Sequence, residues 1–107
     1  KYNQVVASCN VAAKPDLLTL PEFQERLAGL KDRLPGLVQW NSRYSGTEPK
    51  YRLMLEADTR HGAAEVAAVA WEICDLIQSL TNTPKGAKIE VLNVTQGGLM
   101  PRPDSEM

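Results

Sequence analysis

The spacing of apolar residues along this chain switches between the period of a strand and the period of a helix, and this switching constrains the fold more than any other feature. From Gln4 to Val11, the residues Val5, Ala7, Cys9 and Val11 share one face while Gln4, Ser8 and Asn10 take the other, the period of two of a half-buried strand. Phe23, Leu27, Leu30 and Leu34 then fall at helical spacing. Thr19 and Glu22 stand at the separation of a capping box, Pro21 suits a first turn, and Pro35-Gly36 provides the stop. Val38 and Trp40 alternate with Gln39 and Asn41 in 37–44, and Leu53 and Leu55 alternate with Arg52 and Glu56 in 51–57, which predicts two further strands. Asp58 and Thr59 offer a cap for a second helix to about Leu80, whose stripe is Val66, Ala70, Ile73 and Ile77 with Val69 and Cys74 beside it. After the turn-rich Asn82-Thr83-Pro84-Lys85-Gly86, residues Ile89 to Val94 read as a last strand. The order strand, helix, strand, strand, helix, strand predicts an α+β domain, with a mainly antiparallel four-stranded sheet and two helices packed on one of its faces.

A length of 107 residues is that of one compact domain. The expected boundaries are 1–95 for the domain and 96–107 for a mobile tail, because the sequence from Gln96 is polar and carries Gly97, Gly98, Pro101 and Pro103. Twelve Lys and Arg nearly cancel thirteen Asp and Glu, so no global field draws the chain to nucleic acid or to an anionic membrane. No apolar run is long enough to span a bilayer and the start carries no secretory pattern, so the expected compartment is the cytoplasm. Cys9 and Cys74 lack metal-ligand or Cys-x-x-Cys spacing and read as buried thiols. The chain opens at Lys1 without an initiator Met and enters a strand at once, which suggests a segment of a longer polypeptide.

Chemistry is expected in the turn between the two central strands, Ser45-Gly46-Thr47-Glu48-Pro49. A phosphate dianion needs several donors converging from a backbone that comes close, which favours Gly, hydroxyls and the planar fork of Arg. Arg43 offers two parallel donors, Ser45 and Thr47 add hydroxyls, and Gly46 lets main-chain N–H groups approach an anion. Arg52 brings a second guanidinium from the outgoing strand, and Glu48 is a candidate to balance the pair. By composition alone, an ordinary hairpin turn with exposed charges is the favoured reading.

The full pattern shifts that balance. Arg43-x-Ser45-Gly46-Thr47-Glu48-Pro49-x-x-Arg52 resembles the phosphate-binding loop in the last domain of the α-D-phosphohexomutases, most like the phosphoglucosamine mutase branch. The similarity extends from about Tyr2 to Leu80, while 85–107 departs from the family, and Lys50 and Tyr51 stand where members vary. The resemblance implies an isomerase that acts by intramolecular phosphotransfer. A phosphoserine gives its phosphoryl group to a hexose phosphate, the bisphosphate turns over, and the other phosphate returns to the serine. It implies Mg²⁺ bound by another domain, sugar-phosphate substrate and bisphosphate intermediate as ligands, and the preceding domains of a parent enzyme as partners. This domain is expected to hold the phosphate that is not reacting, through Arg43, Ser45, Gly46, Thr47 and Arg52 with Glu48 in support. Neither the family's active-site serine nor its Asp-rich metal loop is found here, so no catalytic residue and no metal ligand is assigned in this chain. A phosphomannomutase or phosphoglucomutase domain and a non-catalytic module for phosphorylated ligands are the alternatives.

Among the other candidates, His61 is expected at the surface and Trp40 and Trp71 in core packing. Tyr44 either braces the hairpin or touches a sugar.

Overall fold

The computed structural model describes residues 2–34, 37–58, 62–95 and 97–102, and the side chain of Val38 is not among what it describes. Its elements are β1 (Tyr2–Asn10), a 3-10 turn (Leu17–Thr19), α1 (Pro21–Asp32), β2 (Leu37–Tyr44), β3 (Lys50–Asp58), α2 (Ala63–Leu80) and β4 (Ile89–Asn93). The strands lie in the order β2-β3-β1-β4, and every neighbouring pair is antiparallel. The expected α+β architecture is therefore the observed one. Because β3 is inserted between β1 and β2, and β1 between β3 and β4, each helix carries the chain across an intervening strand, giving two interleaved split β-α-β units.

Alternation along each strand separates two faces. Val5, Ala7 and Cys9 of β1, Leu53, Leu55 and Ala57 of β3 and Val91 of β4 point to the helices and are buried. They meet Val66, Ala70, Ile73 and Ile77 of α2, all fully buried, and Phe23, Leu27 and Leu30 of α1. These are the stripes that the helical spacing predicts. Gln78 closes the far end of the core, its amide donating to the carbonyls of Asn10, Ala87 and Lys88, which ties α2 to β1 and to the approach of β4.

Both helix starts differ from expectation. The Thr19 hydroxyl donates to the Asp16 carbonyl at 2.8 Å instead of capping α1, because the 3-10 turn that also pairs the Thr19 amide with Asp16 holds it locally. The cap position is Leu20, followed by Pro21 in the first turn, with no side-chain capping bond. Asp58 cannot cap α2, because it is extended and paired with Tyr2 at the end of the sheet; Gly62 occupies the cap. The expected roles of Pro35-Gly36, Thr59, His61, Gln96 and Pro103 lie outside the described residues, as do Lys1 and the end of the expected tail.

The described part of that tail, 97–102, folds back on the domain. The Met100 amide donates to the Val91 carbonyl at 2.7 Å and the Asn93 amide to Gly98 at 2.9 Å, so Leu99 bridges Leu92. Gly97 and Gly98 turn the chain with φ of 79° and 113°, a conformation that favours glycine. Arg102 grips Asp75 at 2.6 and 3.2 Å and lies 4.6 Å over the Trp71 ring, whose N–H donates to the Met100 carbonyl.

Candidate phosphate site

The register of β2 with β3 opposes Arg43 to Arg52 and Tyr44 to Tyr51. Since successive residues face opposite sides, the two arginines stand together on the open face while the two tyrosines face the helices. The sequence places Arg52 beyond the turn; pairing makes it the direct neighbour of Arg43.

The tyrosines form the base of the site. Their rings meet edge to face with centroids 4.8 Å apart. The Tyr44 hydroxyl donates to the Pro15 carbonyl at 2.6 Å, and the Tyr51 hydroxyl shares a 2.8 Å hydrogen bond with Ser42. Burial pushes the Tyr44 phenol up to about 12 and also raises that of Tyr51, against which the Ser42 hydrogen bond acts. Both are neutral hydrogen-bonding groups near neutral pH. Of the two roles open to Tyr44, the structure gives it the bracing one.

The turn is internally closed. The Ser45 amide donates to the Lys50 carbonyl and the Lys50 amide to the Glu48 carbonyl, each at 2.8 Å. Buried Ser45 accepts through Oγ from the amides of Thr47 and Glu48 at 3.3 and 3.2 Å, so its acceptor capacity is used within the turn while its O–H remains a donor. The Val11 amide donates to the Pro49 carbonyl at 2.8 Å, and Lys14 Nζ donates to the Ser45 carbonyl at the same distance. The segment after β1 thus clamps the turn from below. Gly46 has no positive φ, and a Cβ placed there would meet no atom within 4 Å. The turn itself does not require glycine at this position.

The charges are unevenly matched. Glu48 lies 3.6 Å from Arg52, both half exposed, whereas Arg43 makes no ion pair or hydrogen bond among the described residues. Lys50 shares the open face with Arg52, and Lys14 adds a further cation at the base. Of the four cations Arg43, Arg52, Lys50 and Lys14 around the turn, only Arg52 is ion-paired with a carboxylate among the described residues, an arrangement that attracts an anion. Both arginines also line a groove of about 500 Å³ on the open face, floored by Val6 and Met54 and edged by Ser8 and Glu90. Ser45, Gly46 and Thr47 lie outside this groove, at the hairpin tip. The sequence-predicted set is thus one neighbourhood in two parts, a cationic pair on the sheet and a donor turn at its end.

Lys14, Ser8 and Glu90 were missed by sequence reasoning. Ser8 is opposite both Arg52 and Glu90 in the registers of β1, information that alternation alone does not carry. Lys14 follows the strand in an irregular segment with no periodic signal.

The remaining candidates behave as packing residues. Trp40 and Trp71 sit half-buried against the core, with Lys31 Nζ 4.6 Å from the Trp40 ring. Cys9 and Cys74 are buried free thiols, and the hydrogen bond between them, with burial second, raises the Cys74 thiol well above its usual range. No group of three His, Cys, Asp or Glu among the described residues has the geometry to hold a metal ion. No helix among them is long and apolar enough to cross a membrane.

Comparison with known proteins converges on this region. Residues 8–73 match the family model described as phosphoglucomutase/phosphomannomutase, C-terminal domain. The chain is 36% identical over 75 residues to phosphoglucosamine mutase of Geobacter metallireducens, covering 70% of this chain and 16% of that protein. It is 37% identical over 75 residues to the enzyme of Pelobacter propionicus, with the same coverages, and 35% identical over 80 residues to that of Thermus thermophilus, covering 75% and 17%. The chain therefore spans about a sixth of the length of the curated relatives it matches. Among solved structures, SnoaB, a cofactor-independent oxygenase from Streptomyces nogalater, superposes with a TM-score of 0.49 at 14% identity, over 96% of this chain and 94% of that one. The matched segment contains β2, β3, both arginines and the whole turn, and the chain belongs to the phosphoglucomutase/phosphomannomutase C-terminal domain family.

Proposed function

We propose that this chain serves as the phosphate-holding domain of a phosphohexomutase, and specifically of a phosphoglucosamine mutase, which interconverts a hexosamine 6-phosphate and 1-phosphate through a bisphosphate. The observation that carries this reading is the cross-strand pairing of Arg43 with Arg52, in which Arg43 has no counter-charge among the described residues. Two guanidiniums directly opposed repel each other, and a dianion between them converts that repulsion into two charge-assisted interactions. Ser45 and Thr47 add hydroxyl donors, Gly46 leaves open space for an approaching oxygen, and Glu48 orients Arg52.

In this reading a phosphoserine outside this segment transfers its phosphoryl group to the free hydroxyl of the sugar phosphate. The resulting bisphosphate turns over and returns its other phosphoryl group to the serine. The domain holds the phosphate that is not reacting, and a site that reads charge and donors suits either end of the sugar. Swinging closed over the ligand would exclude water while the chemistry proceeds elsewhere. The donor set of the described residues does not fit an Mg²⁺ site, so the metal is assigned to residues outside this segment and no step is drawn through it. The functional unit is taken as 1–95, with 96–107 as an appendage, working in the cytoplasm beside the other domains of a parent enzyme.

The test is an NMR titration of the chain with inorganic phosphate, glucosamine 6-phosphate and sulfate. The expected result is saturable shifts at 43–52 with millimolar affinity, about −4 kcal/mol, abolished in Arg43→Gln. Shifts that persist undiminished in Arg43→Gln would remove the clamp.

A further inference from the structure

On the open face, an apolar row crosses the sheet between polar ones. The registers set Met54 beside Val6 and Val6 beside Leu92, and Leu99 of the folded-back tail bridges Leu92 at the far edge. These four side chains line the groove of about 500 Å³ together, and Leu92 and Leu99 are 36% and 68% exposed. A continuous apolar strip marks a contact surface, whereas a single exposed apolar side chain does not. Val6, Leu92 and Leu99 lie outside the segment 8–73, so the strip is built largely by parts of the chain that the family match does not cover.

The charges along β3 say what covers it. Its open-face residues read Lys50, Arg52, Met54, Glu56 and Asp58, a cationic half and an anionic half with the apolar row at the centre. Rotating a second copy by 180° about the line of the apolar row lays that row on itself and exchanges the two halves. Arg52 of each copy then meets Glu56 of the other, and Lys50 meets Asp58. On the neighbouring strands Ser8 meets Gln4 and Arg43 meets Gln39, so no like charges are opposed. The strands of the two sheets stay aligned, as in ordinary face-to-face packing. We infer that two copies of this chain pair through the open faces of their sheets, about a two-fold axis along Met54, Val6 and Leu92. Five chain segments about 4.8 Å apart and a strand length of about 25 Å give a face of about 600 Å² per copy, or about 1,200 Å² in all. That is the lower end for a stable interface, so the pairing is weak.

The experiment is sedimentation velocity of the chain at low salt. Arg52 also belongs to the phosphate reading, so phosphate is left out of the buffer. The expected result is a monomer that becomes a dimer as concentration rises through about 0.1 mM. Leu92→Asp is expected to stay monomeric, and Leu99→Asp gives the same reading should Leu92→Asp fail to fold. Glu56→Arg and Arg52→Glu each remove two exposed ion pairs per dimer and are expected to weaken pairing about tenfold. Combining Arg52→Glu with Glu56→Arg is expected to restore it. A chain that stays monomeric to about 1 mM overturns the self-pairing and leaves the strip to a different chain or to another part of a parent enzyme. A dimer that tolerates both Asp variants, or a charge exchange that fails to restore pairing, overturns it equally.

Discussion

Replacing Arg43 by Gln should make the unliganded fold more stable and the phosphate-bound fold less so. Arg43 and Arg52 are direct cross-strand neighbours, and the carboxylate ion-paired with them among the described residues is Glu48, 3.6 Å from Arg52 and half exposed. For guanidinium groups about 7 Å apart, the repulsion is about 0.6 kcal/mol in a water-like dielectric and larger near a low-dielectric surface. Glu48 offsets part of it. The net gain on removing Arg43 is then about 0.5 kcal/mol, within the range of about 0.2–1 kcal/mol for cross-strand pairs. In thermal unfolding at low salt this corresponds to a rise in Tm of about 2–4 °C for a domain of this size. The rise should vanish in 1 M NaCl, where the screening length is only about 3 Å.

Phosphate should reverse the ranking. With a Kd of about 1 mM, 10 mM phosphate stabilises the unmodified chain by about 1.4 kcal/mol and the variant hardly at all. The assay is therefore a pair of melting curves, with and without phosphate, for each protein. An Arg43→Gln chain that melts lower in low salt and gains as much from phosphate as its parent would refute the reasoning. Arg43 would then be a structural residue with a partner of its own.

Gly46→Ala should leave the urea midpoint unchanged or raise stability by about 0.4–1 kcal/mol, since the position has no positive φ and open space around its Cβ, while weakening phosphate binding measured by NMR. Phe23→Ala should cost about 3–5 kcal/mol in urea unfolding, because the ring is fully buried between α1 and the rest of the core. The Tyr44 phenol, raised by burial to about 12 in the fold, favours the native state fully below its ordinary value of about 10 and loses that contribution as pH rises toward 12. Urea midpoints should fall across that window and fall less steeply in Tyr44→Phe, which at pH 8 should itself be about 1 kcal/mol less stable through loss of the hydrogen bond to Pro15.

What the sequence made legible follows from which interactions are local. The stripes Phe23, Leu27, Leu30 and Val66, Ala70, Ile73, Ile77 repeat at the helical period because each helix must bury one face, so both helices and their buried residues could be read directly. The turn at 45–49 was legible for a similar reason: its residue types match the backbone geometry of a hairpin tip. Thr19 and Asp58 were misread as caps because a capping residue is defined by the path of the chain. A 3-10 turn and a strand extension, both set by neighbours in space, took those residues first. Periodicity likewise gives each strand two faces without naming its neighbour. Arg43 and Arg52 were found through their spacing about the turn, but Ser8 and Glu90 required the registers of β1 with β3 and β4.

The two faces of this sheet divide the work between them, which is why stability and binding can be perturbed separately. The helix-facing residues are apolar, or, like Tyr51 and Gln78, polar with their hydrogen bonds made. Substitution there removes burial or strands a polar group, and costs stability first. Across the same strands, Arg43, Arg52, Ser8 and Glu90 contribute little burial and much charge. Like charges set side by side are mildly unfavourable to the fold, and residues that oppose the fold are those whose retention needs a cause outside it. A dianion between the guanidiniums supplies such a cause for Arg43 and Arg52.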